Sequence, residues 1–318
     1  MKNRFPTHNE DREYLSLVSS QDVYPVFVMG FHRSGTTFIY DSIARCFPLA
    51  NLDLYSIFFY ERLLSNAVNE RERSDREWFN LYLDYLGIED RGLDGFEVRD
   101  TMVEEYCWVL SKSNLIFPST ITWSLDCRRL REVCQKLAYT NPGTKGVLLK
   151  NPFDYCNAPR LLKYFPNAKF VYVKRRPTDI LNSCLRSLMR MVRPHPFFDL
   201  MTSTQPRVAQ LVARRMAKYW QDKTDDELLE KISEPIQKAL KKKLRQSKRS
   251  LEHLPRDSYV VVDYETFTTN PTAALLEVKK LLNMEFSTPP DVIEPKTRAT
   301  KPLDVTKRYA EALDACAW

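Results

Sequence analysis

Glycine is scarce in this chain. Only 7 of its 318 residues are glycine, and none of them follows Gly146. Two of the seven, Gly30 and Gly35, bracket one short segment. Glycine supplies the backbone freedom that tight loops need where the chain must come close to a ligand. The segment between these two glycines is therefore the first place to look for a binding loop.

Several patterns of other protein classes are also missing. No apolar run approaches the roughly 18 residues of a membrane span, and residues 1–12 lack the apolar core of a signal peptide. The 7 cysteines include no C-x-x-C pair, and the 4 histidines show no metal-ligand spacing. We therefore expect a cytoplasmic protein with reduced thiols, no metal site and no membrane span.

The charge balance favours anionic ligands without indicating nucleic acid. The formal net charge is +7 and the isoelectric point is near 8.9, which suits a protein that handles anions. No nucleic-acid-binding motif accompanies this charge, so nucleic acid is not an expected partner. With 43% hydrophobic residues, the chain can bury the core of one large domain, which we expect to span residues 1–318.

The segment between the two glycines has the pattern of a phosphate-binding loop. An apolar run at residues 26–29 precedes Gly30, and a helical pattern follows Gly35. A strand, a glycine-bounded loop and a helix N-terminus together present backbone N–H groups and a positive dipole end to an anion. The spacing is that of a P-loop, but Thr36 stands where a nucleoside triphosphatase has lysine. We therefore expect a phosphate or sulfate cradle with Arg33 as its cation.

A second segment could hold another phosphate. The apolar run at residues 170–173 is followed by Arg175, by Pro177 at a first helical position, and by Ser183 two turns into the helix. Arginine offers a bidentate fork and serine a hydroxyl donor, so the two side chains can converge on one phosphate. Taken alone, the pattern is equally consistent with an ordinary solvated helix start.

Together the two segments resemble the sulfotransferases that use 3′-phosphoadenosine 5′-phosphosulfate (PAPS). In that family a P-[KR]-S-G-T-T loop holds the 5′-phosphosulfate, and an arginine followed after seven residues by serine holds the 3′-phosphate. The resemblance runs over about residues 25–310 and lies nearest the branch of tyrosylprotein sulfotransferases and bacterial small-molecule sulfotransferases. Three further stretches carry it: 149–171, 261–265 and 301–305. One departure is His32, which stands where the family has proline.

The resemblance implies roles for individual residues. PAPS would be the sulfuryl donor, adenosine 3′,5′-bisphosphate (PAP) the product, and no metal would be needed. Arg33 and Lys150 would act at the transferred group. The residues implied to bind the cofactor are Arg33, Ser34, Gly35, Thr36, Thr37, Arg175, Ser183, Arg186, Tyr264, Arg298 and Lys301.

The general base that deprotonates the acceptor is left open by the sequence. The family's acidic residue lies about twenty positions after the loop, and Asp53 is the nearest acid there, off register by a residue or two. The pair Glu104 and Glu105 resembles an acidic segment of bacterial members. His32, beside the loop cation, is a third candidate because imidazole titrates near neutrality.

The alternation of apolar runs with helical stretches predicts an α/β fold, P-loop-like and three-layered, with a central, mostly parallel sheet. The predicted strands are residues 25–29, 146–150, 169–174 and 259–263, and the predicted cofactor-binding core comprises residues 24–50 and 145–285. We also expect a helical insertion over the active site at 51–140, a gating loop at 191–206 and a cofactor-covering loop at 290–318. Residues 225–251 are predicted to form an amphipathic helix with a basic face at 238–249.

The most specific function that this reading predicts is transfer of a sulfuryl group from PAPS to a hydroxyl or amine, by in-line displacement. The expected acceptor is a small molecule. Two alternatives stay open: a P-loop kinase or nucleoside triphosphatase, and a non-catalytic protein that binds PAP or PAPS. The sequence names neither the acceptor nor the oligomeric state.

Overall fold

The computed structural model describes residues 4–93, 96–111, 124–295 and 301–316. Its centre is a five-stranded sheet with the strand order β2-β3-β1-β4-β5. The strands are β1 Pro25–Met29, β2 Leu49–Asn51, β3 Gly146–Lys150, β4 Lys169–Lys174 and β5 Tyr259–Asp263. The predicted α/β fold with a parallel central sheet is confirmed.

Four of the strands are those expected from the sequence, and the reason is their apolar content. Every residue of β1 and β3 is buried, as are the central residues of β4. Strands covered on both faces read as continuous apolar runs, which makes them recognisable. The sequence analysis missed β2, which has three residues and ends in an asparagine, too short for any periodicity to appear.

Helices make up most of the remaining chain, and short 3-10 turns connect several of them. The α-helices are α1 Thr36–Cys46, α2 Leu54–Phe58, α3 Leu63–Val68, α4 Glu72–Tyr85, α5 Cys107–Ser111, α6 Ser124–Thr140, α7 Ala158–Tyr164, α8 Pro177–Met191, α9 Pro196–Ser203, α10 Arg207–Gln221, α11 Asp225–Glu252, α12 Tyr264–Thr269, α13 Pro271–Leu282, α14 Asp304–Lys307 and α15 Ala310–Asp314. Over the described residues, no helix combines the length and apolar character that crossing a membrane requires.

The chain divides into two compact units. One, called here the loop unit, comprises residues 24–49, 148–189 and 222–318, and the other, the helical unit, comprises residues 1–23, 50–147 and 190–221. The loop unit contains the glycine-bounded loop and most of the parallel strands. The helical unit contains α2 to α6, α9 and α10.

In the loop unit, α11 covers the core beneath the glycine-bounded loop. Leu240 and Leu244 are buried in a cluster with Phe31, and Ile232 and Ile236 pack against it. These four aliphatic residues are four apart, which places them on one face of the helix, as expected. A capping box formed by Thr224 and Glu227 fixes where α11 begins.

The prediction that residues 191–206 form a gating loop was wrong, because this segment contains α9. The prolines of this segment had indicated a loop. Pro196 occupies the first turn of the helix, where a missing backbone N–H costs nothing. His195 caps the same end, since its Nδ1 accepts a hydrogen bond from the backbone N–H of Phe197 at 3.3 Å.

A buried ion pair joins two distant parts of the helical unit. The ammonium of Lys136 lies 2.9 Å from the carboxylate of Asp11, and both side chains are 0% exposed. Lys136 also donates to the carbonyl of Tyr60, and Asp11 accepts from the backbone N–H of Ser65. The pair therefore fixes the N-terminal segment against α3 and α6.

We expect Lys136→Met to destabilise the protein by about 3–5 kcal/mol, because removing the cation leaves Asp11 as a buried, uncompensated charge. Urea denaturation followed by circular dichroism measures the effect. Glu132→Gln is the matched control: Glu132 contacts the same ammonium at 3.2 Å but is 33% exposed. Its loss should cost less than about 1 kcal/mol. Equal midpoints for the two variants would contradict the proposed anchoring role.

Candidate functional site: an anion cradle between two strand ends

The glycine-bounded loop follows β1 and ends at the N-terminus of α1. Arg33 and Gly35 both have positive φ angles, +68° and +95°. Ser34 is 0% exposed and its hydroxyl donates to the carbonyl of Phe31 at 2.8 Å, which holds the loop in its turn. Gly35 is the N-cap of α1 and contributes no side chain to it. The first N–H groups of α1 are thus left for a ligand, the arrangement that binds anions at helix N-termini.

Both glycines of the loop sit where a larger residue would collide with its neighbours. A Cβ at Gly30 would lie 2.7 Å from the Thr36 methyl group. A Cβ at Gly35 would lie 2.1 Å from the ring of Tyr264, at the start of α12. The lack of a side chain therefore lets the Tyr264 ring lie directly over the loop. This contact explains why glycines are kept here in a chain that has few of them.

The two predicted phosphate segments meet at Arg33. Its Nε donates to the hydroxyl of Ser183 at 3.1 Å, and its carbonyl accepts a hydrogen bond from Nη1 of Arg175 at 2.7 Å. The guanidinium of Arg175 also lies 4.5 Å from the centre of the Tyr264 ring. The Nε of Arg175 is buried and has no hydrogen-bond partner among the described residues. A buried guanidinium N–H without an acceptor is the kind of group that an anionic ligand satisfies.

Lys150 is the last residue of β3, and its ammonium contacts α1, the helix that follows the glycine-bounded loop. The side chain is only 1% exposed, and Nζ donates to the hydroxyl of Thr37 at 2.9 Å. Since Thr37 lies in the first turn of α1, this hydrogen bond brings the lysine to the helix end where an anion would bind. Sequence reasoning predicted that Lys150 and the loop would share this edge of the sheet, and the structure brings them together.

Of the remaining residues predicted to bind the cofactor, the structure describes Arg186 and Lys301 but not Arg298. Nη2 of Arg186 donates to the carbonyl of Lys301 at 2.7 Å, and the N–H of Leu303 donates to Asn182 at 3.0 Å. These contacts fasten the segment after residue 300 to α8, the helix that carries Ser183. Arg298 lies outside the described residues.

His32 takes part in the loop's packing. Its ring centre lies 4.3 Å from that of Phe153, edge to face, and its carbonyl accepts from Cys184 Sγ at 3.5 Å. An edge-to-face contact at this separation is a favourable aromatic arrangement. The residue that replaces the family's proline therefore has a packing role, whether or not it also moves protons.

Asp53, the first candidate base, belongs to the helical unit. Its Oδ1 caps α2 by accepting hydrogen bonds from the N–H and hydroxyl of Ser56, at 2.8 and 2.5 Å. Its Oδ2 accepts from Nη1 of Arg76 at 2.8 Å, and the same nitrogen bonds Asp100. Burial raises the pKa of the Asp53 carboxyl, although Arg76 and Ser56 oppose this effect. Both oxygens of this carboxylate thus already accept strong hydrogen bonds.

Glu104 lies close to Asp53 in the same unit. An isolated antiparallel bridge pairs Asp53 with Val103, and the N–H of Glu104 donates to the carbonyl of Leu52 at 2.9 Å. The Glu104 side chain is 4% exposed, with Arg91 3.6 Å away. Glu105 is more accessible, and its carboxylate lies 3.9 Å from the Cys107 sulfur. The two acidic segments that the sequence left as alternatives are therefore neighbours.

Lys243 belongs to the basic face that the sequence predicts for α11. Its ammonium lies 5.3 Å from the centre of the Tyr155 ring, and Tyr155 packs on Phe31 of the loop. Burial raises the pKa of Cys184 to about 11, and the charges of Arg33, Lys243 and Arg175 oppose this rise. Lys243 follows Leu240 by three residues, which places the two on neighbouring sides of the helix, and this spacing was the signal that could have placed Lys243 at the core edge. Over the described residues, no cluster of histidine, cysteine and carboxylate side chains could hold a metal ion.

Residues 25–288 match a family model described as "Sulfotransferase family". Two solved structures resemble the chain in fold. Sulfotransferase STF1 from Mycobacterium tuberculosis H37Rv has a TM-score of 0.60 at 16% identity, and the match covers 95% of this chain and 80% of that one. Sulfotransferase STF9 from Mycobacterium avium has a TM-score of 0.58 at 14% identity, covering 96% and 78%. No curated protein sequence matches the chain.

We expect Gly35→Ala to destabilise the protein and to weaken anion binding at the loop. The new methyl group would collide with the Tyr264 ring, and the positive φ at this position would strain the backbone of an alanine. Gly143→Ala is the matched control, with a φ of +87° but nothing within 4 Å of the added Cβ. Its cost should be limited to the backbone strain of about 1–2 kcal/mol. If both variants lose the same thermal stability, the contact with Tyr264 does not constrain the loop.

Proposed function

The chain belongs to the sulfotransferase family, and from that premise we propose that it transfers a sulfuryl group from PAPS to a hydroxyl or amine of a small-molecule acceptor. The observation that carries the choice of donor is the meeting of two phosphate-binding motifs at Arg33. Arg175 and Ser183 both contact this residue. A ligand with phosphate groups at both ends of a ribose is the one that needs both motifs.

The residues of the loop unit fit such a ligand. The loop N–H groups and the α1 N-terminus would hold the 5′-phosphate, because the N–H groups and dipole of a helix N-terminus favour negative charge. Arg175, whose buried Nε needs an acceptor, and Ser183 would hold the 3′-phosphate. Tyr264 offers a ring face for the adenine, and Lys243 adds positive potential beside this site. Arg186 and Lys301, which are joined by a hydrogen bond, would close its outer side.

PAPS, when bound, supplies the electrophilic sulfuryl group and a phosphate leaving group. Sulfuryl transfer resembles phosphoryl transfer in its loose transition state, so catalysis depends mainly on positioning and on cations near the equatorial and leaving oxygens. Arg33 and Lys150 are the cations suited to that role. The burial of Lys150 strengthens its effect, because charges interact more strongly away from water.

The acceptor hydroxyl must lose its proton as it attacks sulfur, and Asp53 is the proposed base. A raised pKa makes the Asp53 carboxylate a stronger base. Its hydrogen bonds to Arg76 and Ser56 would fix its direction but also occupy both oxygens. Glu104, held beside Arg91, is the second candidate, with Glu105 and His32 behind it. Substitution of each candidate in turn distinguishes Asp53 from the others.

We expect PAP to raise the melting temperature more than ATP does at equal concentration. Thr36 replaces the lysine that an ATP site needs, whereas the second phosphate motif fits a 3′-phosphate.

Arg175→Ala should weaken PAP binding by about 2–3 kcal/mol, the value of a charge-assisted hydrogen bond. Thermal shift and calorimetric titration measure these effects.

The neighbouring Arg176→Ala is the control, because the Arg176 side chain is 62% exposed and pairs with Asp179. It should leave PAP affinity almost unchanged. Equal stabilisation by ATP and PAP would contradict the proposed donor and favour a nucleoside triphosphatase. Strong PAP binding without any transfer to a broad set of acceptors would favour a non-catalytic binding protein.

We expect Asp53→Asn to lower the single-turnover rate with PAPS by on the order of a hundredfold or more, since loss of a general base has that effect. PAP affinity should be unchanged, because the base acts on the acceptor. Glu104→Gln and Glu105→Gln are the matched comparisons, with the same isosteric loss of charge. If Asp53→Asn stays active while one of these is inactive, the base lies in the second acidic segment.

A further inference from the structure

Helix α10 is an amphipathic helix whose apolar side faces outward. Its sequence, residues 207–221, contains four cations and no acidic residue. Four large apolar side chains on it are more than half exposed: Val208 54%, Leu211 57%, Val212 52% and Tyr219 59%. An ordinary surface helix turns such residues toward the core and its charges toward water. In α10 these apolar residues are exposed together with the cations Arg207, Arg214, Arg215 and Lys218.

The exposed apolar residues form one stripe. At about 100° per residue, Val208, Leu211, Val212 and Tyr219 fall within an arc of about 100° around the helix axis. Arg207, Arg214 and Lys218 lie together along one edge of this arc, and Arg215 lies within it. The opposite side of the helix contains Ala209, Ala213, Ala217 and Trp220, which are partly covered. Helix α10 contacts α9.

We propose that α10 binds the surface of an anionic lipid bilayer. A row of cations beside an apolar stripe is the chemistry of helices that lie in the membrane interface, with aliphatic and aromatic side chains among the acyl chains and basic groups at the headgroups. Tyr219 has the amphipathic ring typical of this depth. The long side chain of Arg215 can extend from within the stripe to the phosphate level. The charge of the helix, with four cations and no acid, is complementary to an anionic leaflet.

The basic face of α11 has exposed cations but no exposed apolar stripe beside them. Lys238, Lys242 and Arg245 are exposed, but the apolar residues of that helix, such as Leu240 and Leu244, are buried in the core. Lys238 is also paired with Glu234 at 2.6 Å. A face of this kind is a solvated one. Nucleic acid would use the cations of α10 but would leave its aliphatic stripe in water, so it fits the helix less well than lipid does.

The test uses the full chain and sucrose-loaded vesicles. We expect co-sedimentation with phosphatidylcholine vesicles that contain phosphatidylserine, weaker binding at high salt, and little binding to phosphatidylcholine alone. Leu211→Ser with Tyr219→Ser removes the stripe, and Arg214→Glu with Lys218→Glu reverses two charges. Each double variant should lower vesicle partitioning by about tenfold or more. Because all four side chains are exposed, the circular dichroism spectrum and melting temperature should be unchanged.

The matched control reverses two charges on α11, Lys242→Glu with Arg245→Glu, and should retain vesicle binding. If this control loses as much binding as the α10 charge variant, net charge alone accounts for the association and the proposal fails. Absence of wild-type binding to anionic vesicles also overturns it. So does a concentration-dependent dimer that Leu211→Ser with Tyr219→Ser abolishes, since a second copy would then cover the stripe. Binding to heparin but not to vesicles would instead indicate a soluble polyanion.

Discussion

The proposed cofactor site depends on the parallel pairing of β1 with β4. The register that sets Met29 opposite Tyr172 ends both strands at one edge of the sheet, so the loop after each strand emerges beside the other. Arg33 and Arg175, far apart in the chain, are thereby brought into contact. The carbonyl of Arg33 and the ring of Tyr264 both contact the Arg175 guanidinium, and a bound anion would balance its charge.

Packing at this edge of the sheet explains why the loop needs glycine. Gly35 makes room for Tyr264, whose ring in turn contacts Arg175. On the other side, Phe31 packs on Tyr155, and α11 closes the cluster with Leu240 and Leu244. The loop is therefore held by packing from below as well as by hydrogen bonds. Preorganised donors of this kind require little rearrangement when charge develops in a transition state.

The helical unit follows a different principle, in which buried charges are paired with one another. Lys136 with Asp11 fixes the N-terminal segment, and Arg76 joins Asp53 to Asp100. A buried carboxylate without such a partner would be strongly unfavourable. These pairs make the position of Asp53 well defined. They also mean that any role for it in proton transfer must be compatible with a structural role in capping α2.

The sequence by itself determined the positions of four strands along the chain, the two phosphate motifs and the family resemblance, because each is a local pattern. Buried parallel strands read as apolar runs, and a strand–loop–helix cradle has fixed spacing. It also determined the core face of α11, which follows from a four-residue repeat. Only the tertiary structure decided that Arg33 joins Ser183 to Arg175, since strand order sets that contact. It also decided that Asp53 pairs with Arg76 and that α10 turns its apolar residues outward. Periodicity shows that a helix has an apolar side, but only its neighbours decide whether that side is covered.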